Sequence, residues 1–297
     1  AERLPAEIIA LDSMTLYRGL DIGTAKPTHP ELTRVRHHLI DVLDPSESAS
    51  VAWWLDHANV AREEIRSRGM TPLFVGGTPF YLKALLHGLF EAPEVDPALR
   101  ASLEAEAAVL GPVVFHAKLA SVDAKTAARL HPNDTRRVVR ALEVFAATGT
   151  PISDLQQTWD SETFQNHSPA AAAIPTVMLD WPRDVLVRRI EQRVDQMLAA
   201  GWLDECRRLI GLPLSKEARQ AVGYHELFEH LRGNLALAEA VARIKIRTRQ
   251  FAKRQLTWFR KLPLTAVAAD QANLVERILA AWETVRSQRN VDATPQG

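Results

Sequence analysis

The sequence predicts an α/β fold, a parallel sheet flanked by helices with an inserted all-helical subdomain, and three observations carry that prediction. A strand, a glycine turn and a helix follow one another from Thr71 to His87. A short β-branched run, Glu7 to Leu11, ends on Asp12-Ser13, as a buried strand does where side chains meet a site. From Ala98 to about Trp159 the chain is rich in Ala, Leu, Glu and Arg at helical spacing, with no strand signal.

In chain order, Glu7 to Leu11 is the first strand and His38 to Val42 the second, stopped by Asp44-Pro45. A helix then runs from Ser48 to Arg68 behind polar caps. Thr71 to Val75 is the third strand, Gly76-Gly77-Thr78 the turn, and Pro79 to His87 the helix leaving it. The expected boundaries are a first core segment at 1–97, the helical insertion at 98–174 and a second core segment at 175–297. Within these, 160–173 reads as a loose connector and Pro175 to Asp180 as a strand. A helix from Arg183 to about Ala200 ends at Gly201, a basic helix spans about Leu235 to Arg260, and Thr265 to Val267 precedes a closing helix.

Length and composition exclude several classes. With 297 residues, 46% of them apolar, the chain can bury a sizeable core. Its lone cysteine, Cys206, excludes an internal disulfide and is expected to be a small, partly buried helix residue. No stretch approaches the roughly 18 uncharged apolar residues of a membrane span, and the first residues carry acids where a signal peptide carries a basic head, so a cytoplasmic protein without a membrane partner is expected. No zinc-ligand cluster or other metal site is identifiable. Thirty-six basic residues balance thirty-six acidic ones, so an argument for nucleic acid must come from local clustering.

Seven segments, in one order, carry a resemblance: LDSMTLYRGLDIGTAKP, HHLIDVLDP, VGGTPFYLKALLHGL, LHPNDTRRVVRALEV, RIEQRVDQML, AVGYHE and KRQLTWFR. Over nearly the whole chain the sequence resembles the tRNA dimethylallyltransferases, most specifically in DIGTAKP, HPND-x-x-R and KRQ-x-TW-x-R. The resemblance implies a P-loop-NTPase-like sheet that transfers a dimethylallyl group from dimethylallyl diphosphate to N6 of the adenine 3′ of the anticodon. It also implies Mg²⁺ as cofactor and the tRNA anticodon stem-loop as partner of a monomer.

Such a transfer needs an acceptor for the adenine amine proton, a charge trap for the leaving pyrophosphate and a basic surface for the stem-loop. Asp12, at the first strand's end, suits the first role, with an N-cap or turn aspartate as the alternative. The resemblance puts Asp12, Ser13, Met14 and Thr15 on the target nucleotide and Thr78 beside the reacting amine and scissile oxygen. Lys26 and Thr24, in DIGTAKP, could meet phosphate or simply structure a surface loop. Arg193 is implied on the diphosphate, the alternative being a surface arginine paired with Glu191 or Asp195.

Between Val241 and Lys261 lie eight Lys or Arg and no acid. Lys245, Arg249 and Lys253, spaced by four, share one helix face, while Ile244, Phe251 and Trp258 can turn inward; the face is either a phosphate-tracking stripe or merely solvated. For RNA contact the resemblance marks Lys253, Arg254, Gln255, Leu256, Thr257, Trp258, Phe259 and Arg260. It also marks Gln220, Ala221, Val222, Gly223, Tyr224 and His225, with Gly223 equally readable as a tight turn. On the insertion it marks Arg100, Arg136, Arg137, Val138, Val139 and Arg140.

One departure stands out. The family opens with a strand and a phosphate loop, G-x-T-x-x-G-K-[ST], and the given sequence shows neither, beginning at AERLPAEII. The expectation is a chain with a start chosen too late, every downstream match being intact; the alternatives are a truncated, catalytically impaired tRNA-binding protein and an adenylate isopentenyltransferase.

Overall fold

The computed structural model describes residues 1, 3–89, 96–160 and 174–292. Two compact units divide it: residues 1–85 with 174–297, and residues 86–173. The connector expected at 160–173 lies, apart from Asp160, outside the described residues.

The first unit is the α/β part. Strand β1 (Ala6–Leu11) lies between β2 (His37–His38) and β3 (Thr71–Gly76), all parallel. A second parallel pair joins β4 (Val177–Asp180) to β5 (Thr265–Ala268). Helix α1 (His29–Arg34) precedes β2, and α2 (Val51–Ser67) crosses between β2 and β3, capped by the Ser50 hydroxyl, which accepts from Trp53 N–H. Its Trp54, fully buried, donates through Nε1 to the Ala10 carbonyl at 3.0 Å and stacks on Tyr81 of α3 (Pro79–His87) with ring centres 4.5 Å apart. One aromatic side chain thereby fixes the helix layer to the central strand. β3 is less covered: Val75 is 50% exposed.

The second strand is far shorter than His38 to Val42. Pairing stops at Ile9 with His38, two residues before β1 ends at Leu11, because the chain turns off the ladder there. Leu39 and Asp41 instead adopt left-handed backbone (φ 61° and 55°), and residues 41–43 bond the turn at 15–18, Val42 N–H reaching Leu16 O at 2.9 Å.

Helices α4 (Pro97–Val122), α5 (Ala124–Arg129), α6 (Thr135–Thr148) and α7 (Ile152–Asp160) follow. By length and composition α4 is apolar enough to cross a membrane. It is broken at Gly111 (φ 75°), just before Pro112, and its halves fold back so that Lys118 meets Glu106 at 2.6 Å. Leu103, Phe115 and Leu119 of this hairpin pack with Val138, Val139 and Leu142 of α6 in a separate core. The first unit resumes with α8 (Arg183–Ala199), α9 (Trp202–Leu209), α10 (Tyr224–Leu231), α11 (Leu237–Phe259) and, after β5, α12 (Leu274–Asp292).

Candidate active site and nucleic-acid interface

Parallel pairing puts the carboxyl ends of β1 and β3 side by side, in register Leu11 with Gly76. The amides of Gly77 and Thr78 both donate to the Leu11 carbonyl, at 3.1 and 3.2 Å. This closeness requires glycine at 76, where a Cβ would sit 2.1 Å from the Leu11 oxygen. Thr78 Oγ1 then accepts from the Ser13 amide at 3.1 Å. Asp12 Oδ1 accepts from Met14 N–H at 2.7 Å, and the Asp12–Thr15 turn is closed. Asp12, Ser13 and Thr78 are thus brought together.

Burial raises the Asp12 carboxyl above the usual range, opposed by the Met14 and Thr15 amides and by the positive charge of Arg193. The Arg193 guanidinium is itself lowered by burial, with Asp12 working against that shift and Arg189 adding to it. Neither Glu191 nor Asp195 holds Arg193, because Arg249 takes Glu191 and Lys245 takes Asp195. Arg193 has no ion pair among the described residues. Arg189, which the sequence reading passed over, lies 4.2 Å over the Trp181 ring. Its signal was the i, i+4 spacing to Arg193.

Lys26 is a correction. Its side chain is only 4% exposed and its ammonium donates to the Tyr17 carbonyl, to Asp21 at 2.6 Å and to Asp41. All three protons are used, so it anchors its own loop instead of meeting phosphate. Thr24 likewise spends its hydroxyl on the Leu20 and Asp21 carbonyls.

A second residue missed by sequence reasoning is Glu205 on α9. Almost fully buried, it accepts from the amides of Asp21, Ile22 and Gly23 at 3.0, 2.7 and 3.3 Å and from the Tyr224 hydroxyl at 2.6 Å. Burial and this carboxylate push the Tyr224 phenol well above its usual value. Glu205 therefore ties the DIGTAKP loop to the segment at 220–225. A signal existed: Trp202, Glu205, Cys206 and Leu209 fall on one helical stripe, all buried. Gly223 (φ 95°) does make a tight turn, with the Trp202 ring where a side chain would be.

The basic helix divides by face. Lys245 and Arg249 are neutralised by α8, and Arg247 pairs with the buried Glu226 of α10. Lys253, Arg254, Arg260 and Lys261 carry no ion pair among the described residues. Phe251 and Trp258, expected inward, are 39% and 40% exposed, while Ile244 is buried. Gln250, Lys253, Arg254, Thr257 and Trp258 line a groove of about 370 Å³. Leu256 and Phe259 are half-buried.

Several expected contacts are corrected by burial. Val138 and Val139 lie in the core of the second unit, and Ala221 and Tyr224 in that of the first, so their side chains cannot meet a ligand. Gln220 and His225 are exposed and Val222 is half-buried. In the second unit Glu143, with no exposed surface, accepts from Arg100 through both oxygens and from Arg140 at 3.2 Å, which outweighs burial and holds its carboxyl below the usual range. Arg137 meets Asp134 at 3.3 Å, and Arg136 is also partnered. Cys206 is fully buried, its thiol pushed up to about 12 by burial.

Among the described residues no three His, Cys, Asp or Glu converge on a metal position.

The chain is similar to known proteins in sequence and in fold. A family model described as IPP transferase matches residues 15–262. The tRNA dimethylallyltransferase of Ralstonia pickettii is 44% identical over 296 residues, covering 97% of this chain and 91% of its own. That of Symbiobacterium thermophilum is 48% identical over 263 residues, or 88% and 80%. Among solved structures, the full-length tRNA isopentenylpyrophosphate transferase of Bacillus halodurans is similar at a TM-score of 0.68 and 38% identity, covering 99% of this chain and 91% of that one. A eukaryotic dimethylallyltransferase acting on tRNA is similar at 0.71 and 27%, covering 98% and 72%. This chain belongs to the IPP transferase family.

Proposed function

We propose that the chain transfers a dimethylallyl group from dimethylallyl diphosphate to N6 of the adenine 3′ of the anticodon in tRNA, in the cytoplasm. The observation that carries the reading is the desolvated Asp12 carboxyl, held beside Thr78 at adjoining strand ends and within electrostatic reach of Arg193, which has no ion pair among the described residues. The relatives' shared name supplies the reaction class.

The N6 amine attacks C1 of the prenyl chain, the C1–O bond breaks, and the amine proton passes to Asp12, whose raised basicity suits it as acceptor. Arg193 offers a forked donor set to the departing diphosphate. An adenine in a stacked loop cannot reach a strand-end carboxylate, so the base leaves its stack. Lys253, Arg254 and Trp258 offer charge and an aromatic face to the RNA. Mg²⁺ is implied by family resemblance, but the described residues supply no cluster to hold it by themselves, and no step above passes through it.

The test is incubation with Mg²⁺, labelled dimethylallyl diphosphate and either an anticodon stem-loop or AMP. Label on the stem-loop alone is expected. Label on AMP would favour a cytokinin-type enzyme, and bound but unlabelled RNA a binding-only protein.

A further inference from the structure

Gln255 sits in the segment expected to touch RNA, yet its side chain is spent elsewhere. Its Nε2 donates to the carbonyl of Gly77. The absence of a side chain at 77 is what admits it, since a Cβ there would lie 2.6 Å from that nitrogen. At about 100° per residue, Gln255 points some 160° away from Lys253 and Thr257, and it does not line the groove they form with Gln250, Arg254 and Trp258. One side chain cannot serve both faces of α11.

We propose that Gln255 is a positioning residue and not an RNA contact: from the RNA-facing helix it struts the Gly76-Gly77-Thr78 turn, and so keeps the Thr78 hydroxyl in register with Ser13 and Asp12. Among the described residues the turn is also tied by the Gly77 and Thr78 amides on the Leu11 carbonyl, by the Ser13 amide on Thr78 Oγ1 and by Thr78 Oγ1 on the Ser13 hydroxyl oxygen. These hold it to β1 and to the turn that follows β1; Gln255 ties it to the helix that carries the exposed cations. A rigid helix thereby links where RNA sits to where the reaction occurs. The inference rests on the proposed transfer for its catalytic meaning, but the strut itself is testable without it.

Gln255→Met keeps the length and removes the donor. Three quantities are measured on it: stem-loop affinity, transfer rate at saturating stem-loop, and exchange of the Ser13 amide proton, whose acceptor is Thr78 Oγ1. The expected result is affinity within twofold of the parent, a saturated rate reduced about tenfold or more, as misplacement of about 1 Å produces, and faster Ser13 exchange. Affinity weakened tenfold with saturated rate and exchange unchanged would make Gln255 an RNA contact and overturn the proposal, as would no change in any of the three. Gly77→Ala attacks the same contact from the other side, should Gln255→Met fold poorly. It should give the same pattern, and the double variant should be no worse than the worse single one; additive losses would also overturn the strut. Should the parent transfer no label, the proposed function falls for this chain, while affinity, Ser13 exchange and the double variant still decide the strut.

Discussion

At Asp12 function and stability oppose each other. Burial raises its folded-state carboxyl above the unfolded value, so the ionised form is disfavoured by folding; the group's favourable contribution is complete below its unfolded value and is lost as pH rises through the folded one. Asp12→Asn keeps an Oδ1 acceptor for Met14, so at neutral pH it should melt slightly higher than the parent while transfer is abolished and stem-loop affinity is kept. A folded variant that loses RNA affinity would contradict the role given to Asp12. The lysines of α11 separate in the same way. Lys253→Ala should lower the salt slope of stem-loop binding by about one unit, whereas Lys245→Ala should leave that slope unchanged, because Lys245 spends its charge on Asp195 at 2.7 Å.

At the scale of elements, the loop at 21–26 owes its shape to a helix far along the chain. Glu205→Gln keeps one acceptor oxygen and loses the other, leaving amides of the loop without a partner in a buried place. A loss of about 1–3 kcal/mol is expected, read as a lowered melting temperature. An unchanged melt would mean that the loop is held by Lys26 alone. The strand ends were legible because glycine and β-branched runs encode local geometry directly: Gly76, Gly77 and Thr78 stand where the third strand was expected to end. The second strand was not, because past His38 the chain leaves the ladder before β1 ends and gives its amides to the turn at 15–18, a partner that local preferences do not reveal.

Across the whole molecule, the sheet of the first unit is tied together by one carboxylate. Glu7 on β1, 6% exposed, meets Arg68 at the end of α2 at 2.8 and 3.0 Å and lies 2.6 Å from His38 Nε2 on β2. The Arg68 hydrogen bonds, outweighing burial and aided by His38, lower it from 4.5 to about 2. Its stabilisation is therefore present above about pH 4.5 and is lost as pH falls from there toward 2. Urea midpoints measured across that window should fall in the parent, and Glu7→Gln should start lower at neutral pH and fall less steeply.

The sequence by itself determined the order of elements, the helical insertion and the family, because strand, turn and cap preferences act over a few residues and the specific strings survive as strings. It also placed Asp12 and Thr78 at strand ends. Which charges remain for a ligand was decided only by the tertiary structure. Among the described residues Arg193 is left without an ion pair, Arg249 and Lys245 taking the acids on either side of it, Lys26 is consumed by its own loop, and Gln255 turns from the groove of Lys253 and Thr257 toward Gly77. Spacing along a helix fixes which residues share a face, but the partner across that face comes from a distant segment, and charge at a site is what remains after such partners are satisfied.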